Sequence, residues 1–273
     1  MAREFSVLMS VYKNTKVSEL DECLRSLYGQ TAPATELVIV IDGQVDESLT
    51  AYLDEQKSKN AQLKIVPLEQ NVGLGNALRI GMEHCTNEIV ARMDTDDICV
   101  SDRFEKQLAC FDIDPELSIV GSDIAEFDGT IENICSYRTV PTSHEEICEY
   151  LKKRCPFNHM TVTFKKSEVE KAGGYLHWHY NEDSYLWVRM YLAGCKFQNI
   201  KENLVYARID KSTFDRRGGY KYYKSERDLF KFMKKKGVIT GWQYFKAKTI
   251  RFILQVLMPS RLRRWVFKKF ARD

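Results

Sequence analysis

Between Phe5 and Phe111 the chain repeats one pattern four times: a short apolar run, then a segment whose apolar residues return with helical period. Phe5 to Tyr12 and Glu36 to Ile41 read as buried strands, and Leu63 to Val66 and Glu88 to Met93 as two more. Runs that are apolar at successive positions suit strands covered on both faces. Val17, Leu20, Leu24, Leu27 and Tyr28 mark the first helix, which Gly29 and Pro33 end. A polar helix follows the second strand. Leu74, Ala77, Leu78, Gly81, Met82 and Cys85 mark the next helical face, and Phe104, Leu108 and Phe111 the last. Four β-α units within about 110 residues imply a parallel, doubly wound sheet, because parallel neighbours need a crossover and a helix supplies it. In such sheets the ligand crevice lies beyond the carboxyl ends of the strands.

That rule selects Ser10-Val11-Tyr12, Asp42-Gly43 and Asp94-Thr95-Asp96-Asp97. Three crowded carboxylates repel one another and call for a counter-ion, and hard oxygen ligands suit Mg²⁺ or Mn²⁺. The competing reading is a solvated acidic turn ahead of a helix near Ser101. Asp42-Gly43 is either a turn pair or a nucleoside contact. From Leu117 to Val140 the pattern changes to shorter strands around Asp128-Gly129, and helices return at His144 to Arg154 and Asp183 to Leu192. Glu182 and Asp183 open the second of these. Acidic residues there either favour the helix N-terminus or include a general base.

Taken together, these pieces resemble the family 2 glycosyltransferases of the GT-A fold, from about Phe5 to Arg208. The first strand ends in Ser10-Val11-Tyr12. The family's V-D-D-G-S-x-D pattern appears as Val40-Ile41-Asp42-Gly43-Gln44-Val45-Asp46, with Ile41 in place of the first Asp. The N-x-G-x-x-x-A-x-N-x-G stretch appears as Asn71 to Gly81, with Arg79 at the usual Asn position. The run D-x-D-D-x-x-x-x-x-R-x-x-x-Q is complete in Asp94, Asp96, Asp97, Arg103 and Gln107. Gly173-Gly174-Tyr175 precedes Glu182-Asp183, with Trp187 and Arg189 beyond.

The resemblance implies an α/β GT-A fold: a Rossmann-like, mostly parallel central sheet with flanking helices. It implies a glycosyltransferase domain over residues 1–215, its nucleotide-sugar half about 1–115 and its acceptor half about 116–215. Ser10, Tyr12 and Asp42 would hold the nucleobase, Asn71, Gly73 and Arg79 would border the donor, and Asp94 would contact ribose or donor sugar. Asp96 and Asp97 would bind Mn²⁺ or Mg²⁺, and Asp183 would be the catalytic base. His159, Trp178 and Glu182 are the acceptor-side candidates. The implied reaction is an inverting transfer from a UDP-sugar to a glycan acceptor on a polyprenyl diphosphate, as in bacterial capsule or O-antigen assembly.

Charge then separates the chain into two parts. Arg216 to Asp273 holds 18 Lys and Arg against 3 Asp and Glu, a net of +15, whereas the preceding residues hold 23 against 35, a net of −12. The 216–273 segment therefore reads as a basic, amphipathic helical extension with an anionic partner. Leu262, Trp265, Val266 and Phe270 share one side of a helix and Arg261, Arg264 and Lys268 the other, which fits a membrane interface; the alternative is a helix packed on the enzyme body. No nucleic-acid motif accompanies the charge. The eight cysteines form no C-x-x-C pair, and neither a cleavable signal peptide nor a spanning apolar run is evident. The expectation is a cytoplasmic protein, peripheral on the inner face of the cell membrane.

Rival classes fit less well. A haloacid dehalogenase-type phosphatase would carry its D-x-D after the first strand, and a dinucleotide oxidoreductase would carry G-x-G-x-x-G there. A nucleotidyltransferase, or a nucleotide-sugar-binding module without catalysis, remains open on the sequence alone.

Overall fold

The computed structural model describes residues 3–209, 218–259 and 262. Strands β1 (Phe5–Val11), β2 (Glu36–Ile41), β3 (Leu63–Pro67) and β4 (Ile89–Arg92) alternate with helices α1 (Val17–Tyr28), α2 (Glu47–Lys59) and α3 (Leu74–His84). These strands pair in parallel in the order β3-β2-β1-β4. The chain winds outward from β1 to β3, then returns to place β4 on the other side of β1. The topological switch point therefore falls between the ends of β1 and β4.

Beyond β4 the sheet is mixed. β8 (Thr163–Lys165) runs antiparallel to both β4 and β6 (Leu117–Phe127), β9 (Lys196–Arg208) lies parallel to β6, and β5 (Ile98–Cys99) pairs antiparallel with the end of β9. β7 (Ile134–Arg138) folds back on β6 as a hairpin. The parallel pattern thus holds throughout the first half, whereas in the second the parallel pair β6-β9 is joined by antiparallel β5, β7 and β8. β6 is also long rather than short: all 11 of its residues are buried before the turn at Asp128-Gly129.

Successive residues of the central strands feed opposite layers, as the two-residue strand period requires. Val7, Met9 and Ile39 pack with Leu20, Leu24 and Leu53 of α1 and α2, and with Phe104 and Phe111 of α4 (Arg103–Ile113). Leu8, Val38 and Val40 pack on the other face with Ala77, Leu78 and Met82 of α3. That second layer continues through Trp187 of α7 (Glu182–Leu192), which packs among α5 (His144–Leu151), α6 (Lys166–Lys171) and β9.

The basic C-terminal region splits in two. α8 (Tyr220–Lys235) buries Tyr223, Leu229, Phe230 and Met233, and the last three join the same apolar layer as Trp187. Over α8 the helix is therefore a packed part of the body, with its lysines turned to solvent. α9 (Gly241–Phe252) starts at a capping box between Thr240 and Gln243 and buries no residue. Of the expected interfacial helix from Leu262 to Phe270, only Leu262 is among the described residues, and the remainder lies outside them. No helix among the described residues is long and apolar enough to cross a membrane.

Candidate active site

One cleft of about 990 Å³ opens at the switch point. Ser10 and Tyr12 reach it from the end of β1, Asp42 from β2, Asn71 and Gly73 from the turn before α3, and the acidic run from the end of β4. His159, Trp178, Glu182 and Asp183 enter from the second half of the chain. Of the residues expected at the site, only Arg79 does not line the cleft. It lies exposed on α3 and pairs with Glu83 at 3.2 Å, one helical turn away.

Asp42 is 4% exposed, and its carboxylate is occupied by the neighbouring turn. Oδ1 accepts from Val72 N at 2.7 Å, while Oδ2 accepts from Gly73 N at 3.1 Å and Asn71 Nδ2 at 2.9 Å. Three donors on one carboxylate fix the donor-side loop. Gly73 then takes φ of +82°, in the region glycine tolerates. Asp42 therefore shapes the nucleotide end of the cleft through Asn71 to Gly73.

Asp94, Asp96 and Asp97 present carboxylate oxygens within 4.8 Å of one another. Arg92, 2% exposed within β4, pairs with Asp94 at 2.5 Å and leaves its Nε and Nη1 without a protein partner. Asp97 is buried. Its Oδ1 accepts from Arg208 N at 2.8 Å, and its Oδ2 has no hydrogen-bond partner. Burial, then the charges of Asp96 and Asp94, push Asp97 well above the usual carboxylate range. Asp96 reaches solvent, yet desolvation in the cleft and the charge of Asp94 push it up to about 6. A crowded oxygen set with an orphaned buried carboxylate oxygen matches a divalent cation of the Mg²⁺ or Mn²⁺ type.

The rest of the acidic motif braces the floor. Arg103 donates from Nη2 to Arg92 O at 2.8 Å and from Nε to Gln107 Oε1 at 3.1 Å. Gln107 donates to Val120 O at 3.1 Å and to Thr161 O at 2.7 Å. These two buried side chains tie the end of β4 to β6 and to the segment before β8. Arg208, at the end of β9, secures the other flank by donating from Nε to Asp96 O at 3.0 Å.

Asp183 lies in the first turn of α7, where Oδ1 accepts from Ser184 N at 2.6 Å. The Cys155 thiol reaches Oδ2 at 3.5 Å, and burial followed by the charge of Asp183 pushes that thiol up to about 11. Desolvation, then the charge of Asp183, pushes Glu182 up to about 7. Tyr180, just upstream, adopts φ of +65°, an uncommon conformation for a bulky residue. His159 contacts the Tyr175 hydroxyl at 2.9 Å, and burial and the charge of Arg92 keep its pKa well below the ordinary histidine value. Trp178 donates to Ser225 O at 3.3 Å and packs on Tyr185 at a centroid distance of 4.4 Å, so it fastens α8 to the body as well as lining the cleft.

Arg92 and the part played by Cys155 were not read from the sequence. Arg92 carried a signal, since a charged residue inside an apolar strand needs a partner. Cys155 carried none, because its neighbour Asp183 is distant in sequence.

A model of the family described as glycosyl transferase family 2 matches residues 6–169. The chain belongs to glycosyl transferase family 2. The amylovoran biosynthesis glycosyltransferase AmsE of Erwinia amylovora is 40% identical over 268 residues, which cover 97% of this chain and 98% of that protein. An Escherichia coli UDP-Gal:alpha-D-GlcNAc-diphosphoundecaprenol beta-1,3-galactosyltransferase is 35% identical over 270 residues, covering 98% and 97%. S. aureus TarS 1-349 in complex with UDP-GlcNAc superposes with a TM-score of 0.69 at 18% identity, covering 98% of this chain and 76% of that one. The mannosyltransferase PcManGT from Pyrobaculum calidifontis, in complex with GDP-Man and Mn²⁺, gives 0.66 at 14% identity, covering 96% and 72%. These two likenesses bear on the fold, which is GT-A. The family 2 enzyme described here thus places its acidic run at the switch point of that fold, in the same cleft that Asp183 lines.

Proposed function

We propose that this glycosyltransferase moves one hexose or N-acetylhexosamine from a UDP-sugar to a hydroxyl of a polyprenyl-diphosphate-linked glycan, with inversion, in surface polysaccharide assembly. The observation that carries the reading is the shared cleft, lined together by the acidic run, by Asp183 and by Ser10, Tyr12, Asp42, Asn71 and Gly73. The printed activity of the Escherichia coli relative supports the donor and acceptor classes, and that of the Erwinia amylovora relative supports polysaccharide assembly.

The acceptor oxygen attacks the anomeric carbon from the face opposite the nucleotide while Asp183 takes its proton. The bond from that carbon to the diphosphate oxygen breaks, and the nucleoside diphosphate leaves. One displacement converts an α-linked donor into a β-glycoside. Asp96 and Asp97 would hold Mn²⁺ or Mg²⁺, and Asp94 beside them would contact the ribose or donor sugar. A divalent ion bound there supplies charge compensation for the departing diphosphate. Tyr12, 40% exposed, offers an aromatic face to the base, and Ser10 and Asn71 offer polar contacts. Holding both substrates in line lowers the barrier further. His159, kept neutral, and Glu182 border the acceptor side.

The basic C-terminal region would seat the enzyme on the anionic inner face of the membrane, where a lipid-linked acceptor is presented. Trp242, Phe245, Ile253 and Leu257 stand exposed on α9 and the turn after it, with Lys246 and Lys248 alongside.

The test is donor hydrolysis and transfer by purified protein with Mn²⁺ across a panel of nucleotide-sugars. One UDP-sugar is expected to release UDP, with activity abolished by EDTA and lowered ~10²-fold or more by Asp96→Ala. A β-linked product from an α-linked donor is expected by NMR. Full activity in EDTA, or retention of configuration, would overturn the reading.

A further inference from the structure

The reaction scheme leaves the cationic end of the cleft unused. The floor is acidic at the cluster of Asp94, Asp96 and Asp97, and Asp183 adds to it. Past Asp183 the wall changes sign. Lys153 and Arg154, both exposed, line the cleft after α5, and among the described residues no carboxylate pairs with either. Cys155, the next residue, touches Asp183, so the pair lies one and two residues before a side chain that contacts the base. The loop is held from the far side, where Arg251 of α9 donates to Lys153 O at 2.8 Å and pairs with Glu226 at 3.2 Å. Ile250, exposed on α9, and Leu254, half-buried just after it, supply an apolar wall to the same cleft above the buried Phe230 and Met233 of α8.

Unpaired cations beside an apolar wall suit an amphiphile with an anionic head better than a neutral sugar. We propose that Lys153 and Arg154 hold the diphosphate of the lipid-linked acceptor, with its lipid on the α8–α9 wall and its sugar hydroxyl before Asp183. The inference rests on the acceptor class proposed above. An anionic acceptor entering a cleft floored by carboxylates is repelled by them, and the cation pair fixes which end enters first. The arginine fork matches two phosphate oxygens at once.

The probe is geranyl diphosphate, titrated onto full-length protein saturated with UDP and Mg²⁺, with geraniol as the uncharged control. The double variant Lys153→Gln/Arg154→Gln is expected to bind geranyl diphosphate about tenfold or more weakly, the loss of roughly one charge-assisted contact. UDP affinity, thermal midpoint and binding to phosphatidylglycerol vesicles are expected to stay unchanged, and geraniol to bind both proteins equally. The charge-conserving Lys153→Arg/Arg154→Lys variant is expected to retain most of the affinity. Equal affinity of geranyl diphosphate for wild type and the Gln variant would overturn the proposal. So would an equal loss of UDP affinity, which assigns the pair to the donor, or a loss confined to vesicles, which assigns it to the membrane surface. Because the readout is binding, a protein that shows this pattern but transfers no sugar refutes the proposed reaction and leaves the site standing.

Discussion

Asp42 shows how one side chain turns a sequence motif into a shape. Read alone, Asp-Gly after a strand was either a turn or a nucleoside contact. The structure makes it the anchor of a distant turn, because its carboxylate takes the amides of Val72 and Gly73 and the side chain of Asn71. Asp42→Ala should therefore free the Asn71–Gly73 turn, raising KM for the donor at least ~10-fold while kcat at saturation changes less. Steady-state kinetics at varied donor concentration checks this, and a fall confined to kcat would contradict it. Arg103 and Gln107 make the same point. Their motif spacing was legible, but their use as a brace between β4, β6 and β8 was not, since none of their carbonyl partners is near in sequence. Arg79 failed for a simpler reason: its place in the motif lies on the solvent face of α3.

At the scale of elements, α3 must approach the sheet closely to bring the Asn71–Gly73 turn to the cleft. Gly81 permits this, because a Cβ there would meet Leu8 Cδ1 at 2.5 Å and Val40 Cγ2 at 2.7 Å. Gly81→Ala is expected to destabilise the fold by about 1–3 kcal/mol through overpacking, read as a lower denaturation midpoint, despite the better helix propensity of alanine. A midpoint that rises would show that the α3 packing is looser than described. The first four strands were legible because buried parallel strands are continuous apolar runs. β9 was not, since Glu202 and Asn203 interrupt it with polar residues where it runs along the surface. β8 is three residues long and owes its place to β4 and β6 on either side, so no local pattern marks it.

The whole molecule depends on its basic C-terminal region more than charge alone implied. Leu229, Phe230, Met233, Val238 and Ile239 belong to the apolar layer that carries Trp187. Each such side chain contributes about 1.5–3 kcal/mol on burial, comparable in sum to the ~5–15 kcal/mol net stability of a domain. A chain ended at residue 215 is therefore expected to aggregate or lose cooperative unfolding, and a truncated protein that melts like the full chain would restore the boundary read from charge. Residues of the same helices line the cleft, so substitutions there affect packing and the proposed acceptor site together. Asp183 opens α7 beside Glu182 and lines the same cleft as Asp94, Asp96 and Asp97, and the proposed reaction rests on its role as base. The most direct measurement is kcat for sugar transfer by Asp183→Asn, with UDP affinity and thermal midpoint measured on the same preparation. A fall of at least ~10²-fold in kcat is expected with the other two unchanged; near-normal turnover in a folded, UDP-binding Asp183→Asn protein would contradict the role of Asp183 as base.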